Sequence, residues 1–266
     1  MKQKEIRPVS KSDARSFAVT VLETAYKAKV DSIKYVGGGS FGFVFKADID
    51  REPFSIIMKA FRTQGNCERE ARELTLRGSN SLIKIPNVYF TFLANDEIPI
   101  DFIAMEFVEG TDCFTDFLKL LNSKKVKKRF ADEITTIIHH WHEQTNDKFG
   151  LINNAIYDEW LDFYRPFASD VLDCAKELAA RGKLEKKVLD AMERAWSAFG
   201  YIFSDKVETA SLIHGDMNVM NIMSDRHLNP TAIIDPLESK WADKEYELFQ
   251  LRNLTGERFR LYETYK

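Results

Sequence analysis

The stretch Gly37-Gly38-Gly39-Ser40-Phe41-Gly42-Phe43-Val44 constrains the fold more than any other part of the chain. It is a glycine turn between two β-like runs. SIKYV before it is short and β-branched, and FVFKADI after it alternates apolar and polar side chains. The spacing fits G-x-G-x-x-G-x-V, with Gly37, Gly39 and Gly42 at the glycine positions. Glycine lets a backbone approach phosphate oxygens with no Cβ in the way, and a tight turn aims its N–H groups at an anion. In a dinucleotide-binding βαβ unit such glycines would open a helix. A strand follows here, so the turn predicts a hairpin lying over phosphates. Taken by itself, the segment also reads as a plain hairpin turn.

The surroundings extend that hairpin into a lobe. FSIIMKAF reads as a third strand after the breaker REP, and IPNVYFTFL and DFIAMEFV as two more. Between them, residues 66–78 predict a helix with Asn66 as cap and Gly78 as stop. Residues 10–29 predict a leading helix capped by Ser12 or Asp13. After Gly110 the period becomes helical in residues 115–145, 158–182 and 185–203, with Pro166 expected to kink or split the second run. SLIHGD and TAIIDPL predict two short strands, and KEYELFQLRN and GERFRLYETYK close the chain as helices. The expected fold is α+β and two-lobed. An N-lobe over 1–105 holds an antiparallel sheet and one helix, 106–110 form a hinge, and 111–266 form a mainly helical C-lobe.

Composition narrows the function classes. With 44% apolar residues the chain can bury a core, which excludes a disordered protein. No apolar stretch approaches the roughly 20 residues of a membrane span, and no apolar run follows the charged N-terminus as in a secretory signal. A cytoplasmic protein is expected. Lys and Arg number 38 against 41 Asp and Glu, so no global footprint for nucleic acid exists. Cys67, Cys113 and Cys174 are widely spaced and predict free thiols.

Two further segments carry chemistry. Lys59 sits in the apolar strand IIMKAF, and a buried ammonium needs a partner. Glu70, eleven residues on, is the first candidate, with Glu68 and Glu73 as rivals. In LIHGDMNVMNIM, Asp216 offers a carboxylate on a loop, suited to accept or orient the proton of an attacking hydroxyl. Asn221 and Asp235 offer hard oxygen ligands of the kind Mg²⁺ prefers.

A glycine loop, a strand Lys, a helix Glu, a D-x4-N loop and a later Asp, in that order, resemble the protein-kinase-like superfamily. His214-Gly215-Asp216, Ile234-Asp235-Pro236 and the tail Asp243-Lys244-Glu245-Tyr246-Glu247-Leu248 are similar to its small-molecule branch, the aminoglycoside phosphotransferases and above all the fructosamine kinases. The resemblance covers roughly residues 33–266. It implies a protein-kinase-like fold and an ATP- and Mg²⁺-dependent kinase acting on a hydroxyl of a small molecule. In that reading Gly37, Gly38, Gly39, Ser40, Phe41 and Gly42 cover the phosphates, and Lys59, held by Glu70, contacts them. Met105, Glu106, Phe107 and Val108 form the hinge that pairs with adenine. Asp216 is the catalytic base, Asn221 and Asp235 hold Mg²⁺, and His214 props the loop. Met217 and Asn218 depart from the H-G-D-L-W common among fructosamine kinases. The alternative is a catalytically silent nucleotide-binding pseudokinase, or an interaction module that uses only the fold. The expected partner is a small-molecule acceptor, with neither nucleic acid nor membrane.

Three features read as structural. His139, His140 and His142 lack a completing carboxylate motif and predict helix packing rather than zinc. The run from Lys124 to Arg129 predicts a solvated helix face. Trp160, Phe163 and Tyr164 lie at helical spacing and predict core.

Overall fold

A computed structural model describes residues 9–39, 41–236 and 238–266. In chain order the elements are α1 (Lys11–Thr24), β1 (Val30–Gly38), β2 (Gly42–Ile49), β3 (Ser55–Phe61), α2 (Asn66–Gly78), β4 (Val88–Phe92), β5 (Phe102–Glu106) and β6 (Thr111–Asp112). A 3-10 turn (Phe117–Leu121) leads to α3 (Lys124–His142), β7 (Thr145–Asn146), β8 (Phe149–Leu151), β9 (Asn154–Tyr157), α4 (Trp160–Ala180), α5 (Lys186–Ser197) and α6 (Phe199–Ile202). Then come β10 (Ala210–Ile213), β11 (Ile222–Ser224), β12 (Pro230–Ile233), β13 (Lys240–Ala242), a 3-10 segment (Lys244–Arg252), α7 (Gly256–Phe259) and α8 (Leu261–Tyr265). No helix among the described residues is long and apolar enough to cross a membrane.

The chain divides into two compact units. The first comprises the described residues up to His140 with 214–238 and 248–266; the second comprises 141–213 and 239–247.

In the first unit an antiparallel sheet of order β1-β2-β3-β5-β4 carries the glycine turn at one end. The period of two in β3 sends Ile56, Met58 and Ala60 into a core with Ala14, Ala18, Val21 and Leu22 of α1. Each large apolar side chain buried there contributes about 1.5–3 kcal/mol. Lys59, out of phase with those residues, belongs to the opposite face. A second sheet of order β12-β11-β6 is a short hairpin with one added strand. The second unit has its own five-stranded sheet, β7-β10-β13-β8-β9, over which Phe149, Trp160, Ala210, Ile213 and Ala242 form a core.

Several local expectations are corrected. Ser10, not Ser12 or Asp13, caps α1, its hydroxyl accepting from the Asp13 amide at 3.1 Å. Gly65 at φ 85° precedes α2, so Asn66 is its first residue rather than its cap, and Gly78 is its last, with Ser79 as the C-cap. The run 115–145 is broken at residues 122–123 into a 3-10 turn and α3. Pro166 does not split α4, which runs unbroken from Trp160 to Ala180 with the proline inside it. SLIHGD and TAIIDPL supply β10 and β12, but these lie in different sheets. The partner of β12 is β11, whose three residues are too short to show alternation.

Candidate active site

The β3 register sets Lys59 opposite Val44 and Ile103, in the middle of the sheet and two residues from the pair Gly42–Phe61. The residue is 5% exposed, and its ammonium meets two carboxylates: Glu70 Oε2 at 2.6 Å and Asp235 Oδ1 at 2.7 Å. The rivals are accounted for. Glu68 is exposed, and Glu73 accepts from Arg69 at 3.0 Å one helical turn back. Burial works to discharge Lys59, but Glu70 and Asp235 outweigh it and hold the ammonium charged, above its ordinary range. Glu70 is pushed up to about 7 by burial, against the pull of Lys59 and with a push from Asp235.

The hairpin β11–β12 brings Asn221 to the same place as Asp235. Ile222 pairs with Ile233, and the next step of the ladder runs from the Ile234 amide to the Asn221 carbonyl at 3.0 Å. Asn221 and Asp235 are thereby set at adjoining ends of one hairpin. Asp235 has φ 58°, a left-handed conformation that Asp tolerates better than branched residues do. Gly215 at φ 81° is required, since a Cβ there would lie 2.2 Å from the Glu238 carbonyl oxygen. His214 is fully buried. Its Nε2 donates to the Ile234 carbonyl at 3.0 Å, and its Nδ1 accepts from the Asp216 amide at 3.4 Å, so one neutral tautomer satisfies both bonds.

Amides hold Asp216. Its Oδ1 accepts from Asn218 Nδ2 at 2.8 Å and Gln250 Nε2 at 2.9 Å, and its Oδ2 accepts from Asn221 Nδ2 at 3.1 Å. Burial raises the Asp216 carboxyl. The Asn218 and Asn221 bonds work against that, while Asp235 and Glu238 add to it, and the net direction is upward. A carboxylate so placed is a better proton acceptor than an ordinary aspartate.

Two acceptor atoms are left over. The Asn221 amide nitrogen is spent on Asp216, so its Oδ1 has no partner among the described residues, and Asp235 Oδ2 has none either. Two hard oxygens with free lone pairs fit a Mg²⁺ that takes its other ligands from phosphates and water.

The glycine turn joins β1 to β2, with Gly37 opposite Val44 and Gly38 opposite Phe43. Gly42 is demanded by the sheet, because a Cβ would lie 1.9 Å from the Ala60 carbonyl oxygen. Gly38 is also crowded, 2.6 Å from the Gly42 carbonyl oxygen. Gly37 and Gly39 differ: a Cβ on either would meet nothing within 4 Å. Phe41 accepts from the Arg62 amide through its carbonyl at 2.8 Å, and Ser40 lies outside the described residues. Glu106 ends β5, its carboxylate taken by Lys84 at 2.5 Å and Asn87 at 2.9 Å, and its amide donates to the Asn87 carbonyl at 2.8 Å. Val108 makes no hydrogen bond among the described residues.

The three helix histidines have separate partners. His139 stacks on Tyr265, His140 meets the Asn80 carbonyl, and His142 meets the buried Glu247 carboxylate at 3.1 Å. Gln250 was not singled out in the sequence. It stands 34 residues from Asp216 in an irregular 3-10 segment, and no spacing rule connects the two.

Comparison with known proteins gives the chain its family. The model of the phosphotransferase enzyme family (APH) matches residues 35–265, and the chain belongs to that family. It is therefore a phosphotransferase of the small-molecule kinase type with a protein-kinase-like fold. The Escherichia coli (strain K12) protein YcbJ, itself uncharacterized, is 21% identical over 208 residues, covering 77% of this chain and 68% of that protein. Among solved structures, a thermostable mutant of the aminoglycoside phosphotransferase APH(4)-Ia in apo form superposes with TM-score 0.65 at 14% identity, over 92% of this chain and 82% of that one. The same enzyme has been solved in ternary complex with AMP-PNP and hygromycin B, with TM-score 0.63 at 13% identity, over 93% and 87%. A provisionally assigned fructosamine-3-kinase from Haemophilus somnus 129PT gives 0.60 at 18% identity, over 93% and 81%.

Proposed function

We propose that this phosphotransferase uses Mg²⁺ and ATP, and that its acceptor is a hydroxyl of a fructosamine-like, aminoglycoside-like or other sugar or amino-alcohol molecule. The observation that carries the reading is the set of groups gathered around Asp235. One of its oxygens is on Lys59, while the other and Asn221 Oδ1 are left open beside the amide-held Asp216. The fold-related enzyme with AMP-PNP and hygromycin B supports a nucleotide and a small-molecule acceptor in such a framework.

In this reading the chain is organised as a nucleotide-covering lobe (1–105), a hinge (106–110) and an acceptor lobe (111–266). Gly37 and Gly39, unconstrained by their own fold, leave room for phosphate oxygens under residues 37–42. The backbone of Glu106 and Val108 pairs with adenine. Lys59 supplies positive charge to the phosphates while Glu70 fixes its aim. Asn221 and Asp235 hold Mg²⁺, which when bound neutralises phosphate charge. Asp216 takes the proton of the acceptor hydroxyl. Its Oδ1 already accepts two bonds and Oδ2 one, so the proton goes to Oδ2. The hydroxyl oxygen then forms its bond to the γ-phosphorus as the bond to the ADP oxygen breaks.

The test is ADP release from Mg-ATP across fructosamines, aminoglycosides, amino alcohols and sugars, with Asp216→Asn in parallel and Mg-ATP affinity measured by calorimetry. Turnover with one class, reduced about 10²–10⁴-fold in the variant, is the expected result. Mg-ATP binding with no turnover above the variant would favour the silent nucleotide-binding module. Absence of Mg-ATP binding would sink both readings.

A further inference from the structure

The 3-10 turn Phe117–Leu121 is built inside out. Its sequence is FLKLL, and its one charged residue, Lys119, is 1% exposed, whereas Phe117, Leu118 and Leu121 are 65%, 73% and 79% exposed. Lys119 is pulled inward because its ammonium donates to the Thr111 carbonyl at 2.6 Å and to the Ser224 carbonyl and hydroxyl at 3.0 and 2.8 Å. Those bonds pin the turn to β6 and β11, so the three apolar side chains are held outward by a fixed frame. Apolar residues scattered on a surface need no explanation; three on one anchored turn, with the charge inside, do.

The second anomaly begins three residues later. Helix α3 opens with Lys124, Lys125, Lys127, Lys128 and Arg129, and its first turn holds no acidic residue. A helix N-terminus carries partial positive charge, so this is the wrong end for cations and the arrangement does not serve the helix. Lys128 and Arg129 are paired along the helix with Asp132 and Glu133. Lys124, Lys125 and Lys127 have no ion-pair partner among the described residues.

We infer that this stretch, Phe117, Leu118 and Leu121 with Lys124, Lys125 and Lys127, docks on an anionic phospholipid surface. The charge complementarity is direct, because a cluster of lysines beside protruding apolar groups matches acidic headgroups over acyl chains. The apolar groups stand out from the surface rather than line a groove. A bilayer yields to such groups, whereas a protein partner would need a pocket shaped for each. The sequence alone reads this run as a solvated helix face, and it is the exposed turn beside it that changes the reading.

Sedimentation of the full chain with vesicles tests this, comparing phosphatidylcholine alone with equimolar phosphatidylcholine and phosphatidylglycerol. Binding is expected only with phosphatidylglycerol, and is expected to be lost near 0.5 M salt, where screening acts over about 4 Å. The triple variant Lys124→Gln/Lys125→Gln/Lys127→Gln should bind about a hundredfold more weakly, from about fivefold per lysine. Leu118→Ser/Leu121→Ser should weaken binding at least about tenfold. These side chains are exposed apart from the half-buried Lys127, so melting temperatures should match the parent and loss of binding will not reflect unfolding. No binding to the acidic vesicles at low salt, equal binding to both vesicle types, or binding indifferent to both variants would each overturn the inference. So would self-association that Leu118→Ser/Leu121→Ser abolishes without any vesicle binding, which would assign the patch to a second copy of the chain.

Discussion

The two halves of the site are held by different forces. Lys59, itself buried, is fixed by two carboxylates, the buried Glu70 at 2.6 Å and the partly exposed Asp235 at 2.7 Å. Asp216 is fixed by neutral amides from Asn218, Asn221 and Gln250. Charge partners lock position and keep the ammonium cationic, as the proposed place of Lys59 in front of phosphate requires. Amides orient a carboxylate without cancelling its charge, as the proposed role of Asp216 in accepting a proton requires. Breaking one charge in the first half leaves another stranded. Breaking one amide in the second loosens a group that two others still hold.

The sharpest way to break this comparison is Asp235→Asn, because Asp235 serves both halves. It is a partner of Lys59 and raises Asp216. Its loss should reduce turnover at least as far as Asp216→Asn does, about 10²–10⁴-fold, and should also weaken the dependence on Mg²⁺. The check is ADP release against Mg²⁺ concentration in both variants. Full activity in Asp235→Asn would refute its assignment as a metal ligand.

Next in size is Lys59→Met, read through stability. Removing the ammonium leaves Glu70 buried with its cation gone. Glu70 already lies at about 7 through burial, above its ordinary 4.5. A carboxyl whose folded-state pKa is raised holds a proton that the unfolded chain releases. Its contribution is complete below the unfolded pKa and lost as pH rises through the folded one. Denaturant unfolding should therefore find the variant close to the parent near about pH 4.5 and about 3–5 kcal/mol less stable near about pH 9. Equal destabilisation at both would mean that Lys59 stabilises by packing rather than by pairing.

The same contrast explains what could be read from the chain beforehand. The charge-held half was legible. A lysine inside IIMKAF demands a carboxylate, and the helix that supplies Glu70 shows its period plainly. The sheet was legible because β1, β2 and β3 are seven to nine residues long, enough for alternation to show, and β5 is a short apolar run. The amide-held half was legible only at Asp216, Asn221 and Asp235, through their order along the chain. β11 and β13 are three residues each, shorter than any periodic signal. Caps such as Ser10 and Gly65 depend on local backbone angles that neighbouring candidates equally permit. Gln250 depends on how a 3-10 segment folds back, which is a tertiary event with no local code.

Gln250 also gives the finest test of the difference between the halves. Its Nε2 donates to Asp216 Oδ1, and its Oε1 accepts from Asn253 Nδ2, which fixes the orientation of the amide. Gln250→Leu keeps the approximate volume and removes one of the amides on Asp216. Asn218 and Asn221 remain, so the carboxylate should be less well oriented but not released. A hydrogen bond to a charged group contributes about 1.5–3 kcal/mol, and with two amides still in place the lower end applies, about tenfold in kcat. The KM for Mg-ATP should not move, because Gln250 touches none of Lys59, Asn221 and Asp235. A fall in kcat alone, measured against the acceptor that the substrate panel identifies, would support orientation by amides. A rise in the KM for Mg-ATP at constant kcat would place Gln250 on the nucleotide side and erase the distinction between the two halves.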